Sequence, residues 1–319
     1  MNFGVIGYGS IGKRHVNNLV SLGYNNITLF RSISSGNRHS LKELNDFDRF
    51  LDTNLDGVII SNPTSLHAEF LYQILNRNLN VLVEKPVISS KKQYQLVINH
   101  LNNYKGIGMT AYNMRFHPCI TELSEVLKRN MYGKVFSARF FVGQYLPDWV
   151  PKRNYSKSYS AKKKLGGGVL FDLIHEIDLA YFLIGKPHGG VLSKVGRLSK
   201  LNIDSEDMAE LLYSTIDKKF VSIHLDYLSQ SYKRCIEIIT EKANIEVDLY
   251  SSKISIFFRN SDVEIKSFPN FSKNMMYKRL ILNFINSIKQ NKESAISLKE
   301  GLISNKIAIK TRFDFYNEK

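Results

Sequence analysis

Three groups of residues in this 319-residue chain have types and spacings that could do chemistry. Gly7-Tyr8-Gly9-Ser10-Ile11-Gly12 is a G-x-G-x-x-G. Glycines so spaced permit a tight turn and a close approach of backbone to a pyrophosphate, which the first amides and the dipole of a following helix then hold. Lys85, in Glu84-Lys85-Pro86, is a cation that can steady a developing alkoxide. Asp172 and His175 lie three apart, with Asp178 three further on. On a continuous helix that spacing puts Asp172 and His175 on one face, and a carboxylate beside an imidazole supports a general base at neutral pH. Asp178 either orients the same site or packs.

The elements that must position these groups follow from hydrophobic periodicity. Phe3–Ile6, Ile27–Phe30, Gly57–Ile60, Val81–Val83 and residues 106–109 read as buried strands, and residues 11–22, 67–75 and 91–101 as helices. Apolar strands alternating with helices require a parallel sheet covered on both faces. The glycine motif then joins the first strand to the first helix, and Lys85 stands just past the carboxyl end of the fourth strand, where open sheets of this kind bind ligands. Beyond Pro118 the pattern predicts a helix over 120–129, a strand over 135–142, a polar loop over 143–165 and a helix over 166–184. From residue 191 onward short strands at close spacing pair antiparallel, and helices over 277–289 and 298–313 close the chain. The fold class is α/β: a Rossmann dinucleotide-binding domain (1–117), then an α+β domain (118–319) with a large, mostly antiparallel sheet, its last helices packing back on the first domain.

Lysine and arginine number 44 against 29 acids, a net charge of +15, open to nucleic acid, an anionic small ligand or plain solubility. Its distribution favours the second. Lys13, Arg14, Arg31 and Arg38 surround the dinucleotide motif, and Lys152, Arg153, Lys157, Lys162, Lys163 and Lys164 are interleaved with Tyr145, Trp149, Tyr155 and Tyr159 just before the Asp172 helix. Aromatic rings stack on sugars or bases and cations bind carboxylate or phosphate, so Trp149 and Tyr159 are substrate candidates. The second strand ends in Arg31-Ser32, with no acid before Glu43. A guanidinium and a hydroxyl there suit a ribose 2′-phosphate, favouring NADP(H) while NAD(H) stays possible. Two cysteines without metal spacing, and no apolar run of about 18 residues, point to a cytoplasmic protein with no metal, no membrane segment and no nucleic-acid partner.

Ser61-Asn62-Pro63 with His67, then Glu84-Lys85-Pro86, then Gly166-Gly167-Gly168 through Asp178, taken with the N-terminal glycines, resemble the glucose-fructose oxidoreductase / inositol dehydrogenase / MocA family. The resemblance implies that Asn62, Pro63, His67 and Glu84 lie on the cofactor with Gly7, Gly9, Ser10, Ile11, Gly12, Arg31, Ser32 and Lys85. It also implies that Lys85 hydrogen-bonds the reacting oxygen, that His175 and Asp172 meet the substrate, and that Asn113 and Arg115 stand at the substrate end. The family more often separates the aspartate and histidine by three residues; here two intervene. Its members mostly oxidise or reduce sugars, cyclitols and nucleotide sugars, and often assemble through the C-terminal sheet, so a homo-oligomer is expected. The segment from Tyr159 to Asp178 looks like a subgroup met among surface-polysaccharide enzymes, which implies an anionic or nucleotide-linked sugar. A redox-neutral glycosidase, eliminase or epimerase, and a dinucleotide-sensing regulator, are the alternative readings.

Overall fold

The computed structural model describes residues 1–31, 41–149 and 154–317. Ser32, Arg38, Lys152 and Arg153 lie outside the described residues. The chain divides into two compact units, one of residues 1–113 with 274–305, the other of residues 114–273 with 306–319.

In the first unit, chain order runs β1 (Phe3–Ile6), α1 (Ser10–Ser21), β2 (Ile27–Phe30), β3 (Lys42–Leu44), α2 (Phe47–Leu51), β4 (Gly57–Ile60), α3 (Thr64–Asn76), β5 (Val81–Val83), α4 (Lys91–Leu101) and β6 (Gly108–Thr110). The strands form a sheet in the order β3-β2-β1-β4-β5-β6, with every pair parallel. β1, β4 and β5 are buried at every residue, which is why they are continuous apolar runs rather than alternating ones. Neither β3 nor α2 is foreseen by the sequence pattern. β3 is three residues long, Lys-Glu-Leu, too short and too polar to show a period. The free edge of β6 is covered by the later segment, where the Thr110 amide donates to the Ile296 carbonyl at 2.9 Å and the Ser294 hydroxyl to the Gly108 carbonyl at 2.9 Å.

The second unit is built on α5 (Pro118–Lys128), β7 (Val135–Gly143), α6 (Val169–Asp172), α7 (Ile174–Leu183), β8 (His188–Gly196), β9 (Met208–Ser214), β10 (Phe220–Asp226), β11 (Lys233–Thr240), β12 (Asn244–Asp248), β13 (Lys253–Phe257) and β14 (Glu264–Ser267). Its eight strands lie in the order β14-β13-β12-β11-β7-β10-β9-β8. All neighbours are antiparallel except β7 and β10, which run parallel at the sheet centre. Ala138, Phe140 and Val142 of β7 and Val221, Ile223 and Leu225 of β10 face inward, and α7 packs on both strands. The chain ends in α8 (Lys273–Gln290) and α9 (Leu298–Asn317). No described helix is long and apolar enough to cross a membrane.

Candidate active site

In the first unit the candidate residues leave the carboxyl ends of three neighbouring strands. After β1, Gly7 takes φ +86°, and a Cβ on it would stand 2.7 Å from the backbone of Asn62. A Cβ on Gly12 would collide with the Gly7 carbonyl. Gly9 differs: nothing lies within 4 Å of where its Cβ would be. The first turn of α1, with Ser10 and Ile11, carries no acidic residue and no side-chain cap. That leaves a cradle bounded by backbone amides, open at the one glycine a ligand must approach. Asn62, after β4, has a buried Oδ1 with no partner. These residues fit a dinucleotide.

Behind the cradle are three side chains that organise it. His67, 1% exposed, places Nε2 at 2.8 Å from the Asn62 carbonyl and Nδ1 at 2.9 Å from the Pro86 carbonyl. It ties the loop after β4, with Pro63, to the loop after β5, each of its ring nitrogens lying at a backbone carbonyl. Burial depresses its pKa below the ordinary 6.5, against the pull of the two carbonyls. Glu84 also faces inward. Its Oε1 lies 2.7 Å from Nε2 of His15, a fully buried residue of α1, and its Oε2 accepts the Lys85 amide at 3.3 Å. The half-buried Lys85 is thereby referenced to the helix that opens at the glycine turn. Asn113, 5% exposed, shares a hydrogen bond with Tyr277.

Arg31 is not an unopposed cation. Glu43, brought alongside by β3, lies 3.6 Å from its guanidinium, so the Arg31 charge has an acid beside it.

In the second unit the expected continuous helix over 166–184 is broken. α6 ends at Asp172 and α7 begins at Ile174, with Leu173 at φ −99°, ψ 24° between them. The uninterrupted apolar pattern hid the break. Asp172 and His175 therefore sit on separate helical pieces, and the shared-face argument from i, i+3 spacing does not apply. Asp172 accepts a 2.6 Å hydrogen bond from the hydroxyl of Tyr227, just beyond β10. His175, 8% exposed, lies in the first turn of α7. Gly168 must be glycine: its φ is +109°, and a Cβ would collide with Glu206 and Arg312.

Three arginine–carboxylate pairs hold this region, two of them buried and the third part-buried. Arg115 grips Asp178 through Nε at 2.8 Å and Nη2 at 2.7 Å, its guanidinium 4.5 Å over the Phe182 ring. Arg234 grips Glu176 at 2.6 and 2.9 Å. Arg312 bonds Glu206 and donates to the Gly167 carbonyl at 2.6 Å. Burial pushes the Glu206 carboxyl up, and Arg312 opposes that. Arg115, expected at the substrate end, has its charge met by Asp178. The Tyr159 hydroxyl donates to the Gly166 carbonyl at 2.9 Å, and the Trp149 indole donates to the Gln144 carbonyl at 3.2 Å, so each of these substrate candidates also fixes local backbone. His15, Tyr227, Glu206, Arg234 and Arg312 belong to no motif and have no sequence signal.

Residues 1–112 match the family described as "Oxidoreductase family, NAD-binding Rossmann fold", and residues 120–246 match the "GFO/IDH/MocA C-terminal domain". The chain belongs to the Gfo/Idh/MocA family. As a member it is an NAD(P)-dependent oxidoreductase acting on CH–OH groups. It is 22% identical to the uncharacterized oxidoreductase YrbE of Bacillus subtilis, over 96% of this chain and 91% of that protein. It is 25% identical to a levoglucosan dehydrogenase of Pseudarthrobacter phenanthrenivorans, over 58% of this chain and 52% of that one. A levoglucosan dehydrogenase solved in complex with NADH superposes with a TM-score of 0.86 at 16% identity, covering 98% of this chain and 97% of the other, and so shares the fold.

Proposed function

We propose that this Gfo/Idh/MocA protein exchanges hydride between NADP(H) and a hydroxyl-bearing carbon of a sugar or nucleotide-linked sugar. The observation that carries the reading is the convergence, in the first unit, of the glycine turn, Asn62 and a braced Lys85 at the carboxyl ends of adjacent strands β1, β4 and β5. The dinucleotide supplies the hydride acceptor, or the donor in the reverse direction. The chain's own groups handle the oxygen and its proton. Lys85 donates to the reacting oxygen and offsets the negative charge that develops there. His175 takes the hydroxyl proton as the carbonyl forms and returns it on reduction. Ser10, Ile11 and the glycines hold the pyrophosphate, and Arg31 faces the ribose 2′-phosphate.

An anionic group on the sugar, as surface-polysaccharide precursors carry, would fall to Lys157, Lys162 and Lys164, because Arg115, Arg234 and Arg312 are committed to carboxylates. Assembly through the eight-stranded sheet belongs to the same proposal, supported by Leu192, Leu212, Phe220 and Ile239 exposed on it. So does a cytoplasmic setting, in keeping with free Cys119 and Cys235.

The test is a panel of levoglucosan, myo-inositol, D-xylose, glucose 6-phosphate and UDP-N-acetylglucosamine with NADP⁺ and NAD⁺ in parallel, followed by nicotinamide absorbance. Lys85→Met is expected to lower turnover of the best substrate by about 100- to 1,000-fold with cofactor affinity kept. Undiminished turnover would remove Lys85 from the chemistry, and faster reaction with NAD⁺ would overturn the role given to Arg31.

A further inference from the structure

Glu43 is the first acid after Arg31 in the chain, and the fold of the first unit brings it back. Phe30 pairs with Ile6 of β1 on one side and with Leu44 of β3 on the other, and the Arg31 amide donates to the Leu44 carbonyl at 3.0 Å. On the glycine side the Gly7 amide donates to the Phe30 carbonyl at 3.2 Å, so Arg31 leaves the sheet beside the glycine turn. Glu43 is the register partner of Leu29, two residues before Arg31, which puts the acid and the cation on one face of the sheet. Their contact is loose. Glu43 Oε2 stands 3.6 Å from the guanidinium, beyond hydrogen-bond length, whereas Arg115 and Arg234 each hold a carboxylate by two bonds of 2.6 to 2.9 Å. The other oxygen, Oε1, is buried and has no partner among the described residues.

We propose that Glu43 sets the balance between NADP(H) and NAD(H), by opposing at Arg31 the 2′-phosphate that distinguishes the two. This rests on the reading of Arg31 given above. The Glu43 side chain is 10% exposed and its Oε1 is buried, so Glu43 does not present a carboxylate to the ribose and acts instead through its charge. A phosphate takes a guanidinium by two charge-assisted hydrogen bonds, a firmer hold than the 3.6 Å contact it competes with, so NADP(H) still gains from Arg31. The fixed negative charge beside that guanidinium repels the phosphate and reduces the gain. A ribose hydroxyl carries no charge and is indifferent to it. The pair therefore narrows the preference for the phosphorylated dinucleotide below what Arg31 with no acid beside it would give.

The experiment is calorimetric titration of the full-length protein with NADPH and with NADH, no substrate present, on wild type, Arg31→Ala, Glu43→Gln and Glu43→Ala, with thermal melts alongside. Glu43→Gln keeps the size of the side chain and removes a nearly buried charge, and Glu43→Ala removes the group outright; either variant, folded, is enough. Both are expected to tighten NADPH by about three- to tenfold and to leave NADH within about twofold. Arg31→Ala is expected to weaken NADPH by at least about tenfold, with NADH again within about twofold. If Arg31→Ala lowers the preference for NADPH but the Glu43 variants leave it unchanged, weaken NADPH, or move both dinucleotides alike, this inference is overturned while the Arg31 reading stands. If Arg31→Ala leaves the preference unchanged, both are overturned.

Discussion

A single added methyl group would meet very different surroundings at two glycines of the first turn. Alanine at Gly7 must adopt φ +86° and press on the Asn62 backbone, whereas alanine at Gly9 meets nothing within 4 Å. Gly7→Ala is therefore expected to cost about 1–3 kcal/mol of stability. Gly9→Ala should melt as wild type does yet bind NADPH at least about tenfold more weakly, by blocking the approach that the glycine pattern exists to allow. Calorimetric titration beside thermal melts checks both, and a Gly9→Ala protein that binds normally would refute the cradle. At this scale the sequence was informative where chemistry is local. The glycines, Lys85 and His175 are each embedded in a short motif. His15, Tyr227 and Arg312 are not, because the carboxylates they meet lie 69, 55 and 106 residues away in the chain, and only the folded topology brings them together.

The elements show why α7 can be so thoroughly buried while carrying two acids. Glu176 is 2% exposed and Asp178 is fully buried, and each is gripped by two donors of an arginine from another element. Removing one partner strands a buried charge. Arg115→Met is expected to lower unfolding free energy by about 3–5 kcal/mol in urea titration, and Arg115→Met with Asp178→Leu to recover most of it. A double variant no more stable than the single would show that the pair has a role beyond mutual neutralisation. Periodicity found the strands of the first sheet because they are uniformly apolar, and most strands of the second because they alternate. It missed β3, where three residues carry no period, and the break at Leu173, where apolar residues on both sides read as one helix. It also gave no hint that β7 and β10 run parallel, since pairing between strands far apart in sequence leaves no trace in local pattern.

Across the whole molecule the +15 charge is less concentrated on ligands than its distribution suggests, since Arg31, Arg115, Arg234 and Arg312 all have acids beside them. The two units should also respond to pH in opposite senses. In the first, His67 is pushed below 6.5 by burial. The unfolded chain takes up that proton first, so the contribution of His67 is present above pH 6.5 and is lost as pH falls. In the second, burial tends to lower the His224 pKa, but hydrogen bonds to Asp226 and Glu210 outweigh it and the net shift is upward from 6.5. Its contribution is full below pH 6.5 and is lost as pH rises through the raised value. Melting from about pH 5 to 8.5 is expected to show the alkaline loss flattened in His224→Phe and unchanged in His67→Gln, with the reverse on the acid side. Identical profiles for the two variants would contradict this assignment. The first unit is also discontinuous: its sheet begins at residue 3, yet Phe284 and Ile288, which pack against Gly57 of β4, and the segment that covers β6 come after the 160 residues from 114 to 273. At about 5–20 residues per second of synthesis, roughly 9 to 37 s separate the making of β6 from the making of its cover. During that interval the nascent chain exposes an apolar wall and an open strand edge on the ribosome, so the first-made unit cannot complete itself until the intervening residues 114–273 have been synthesised.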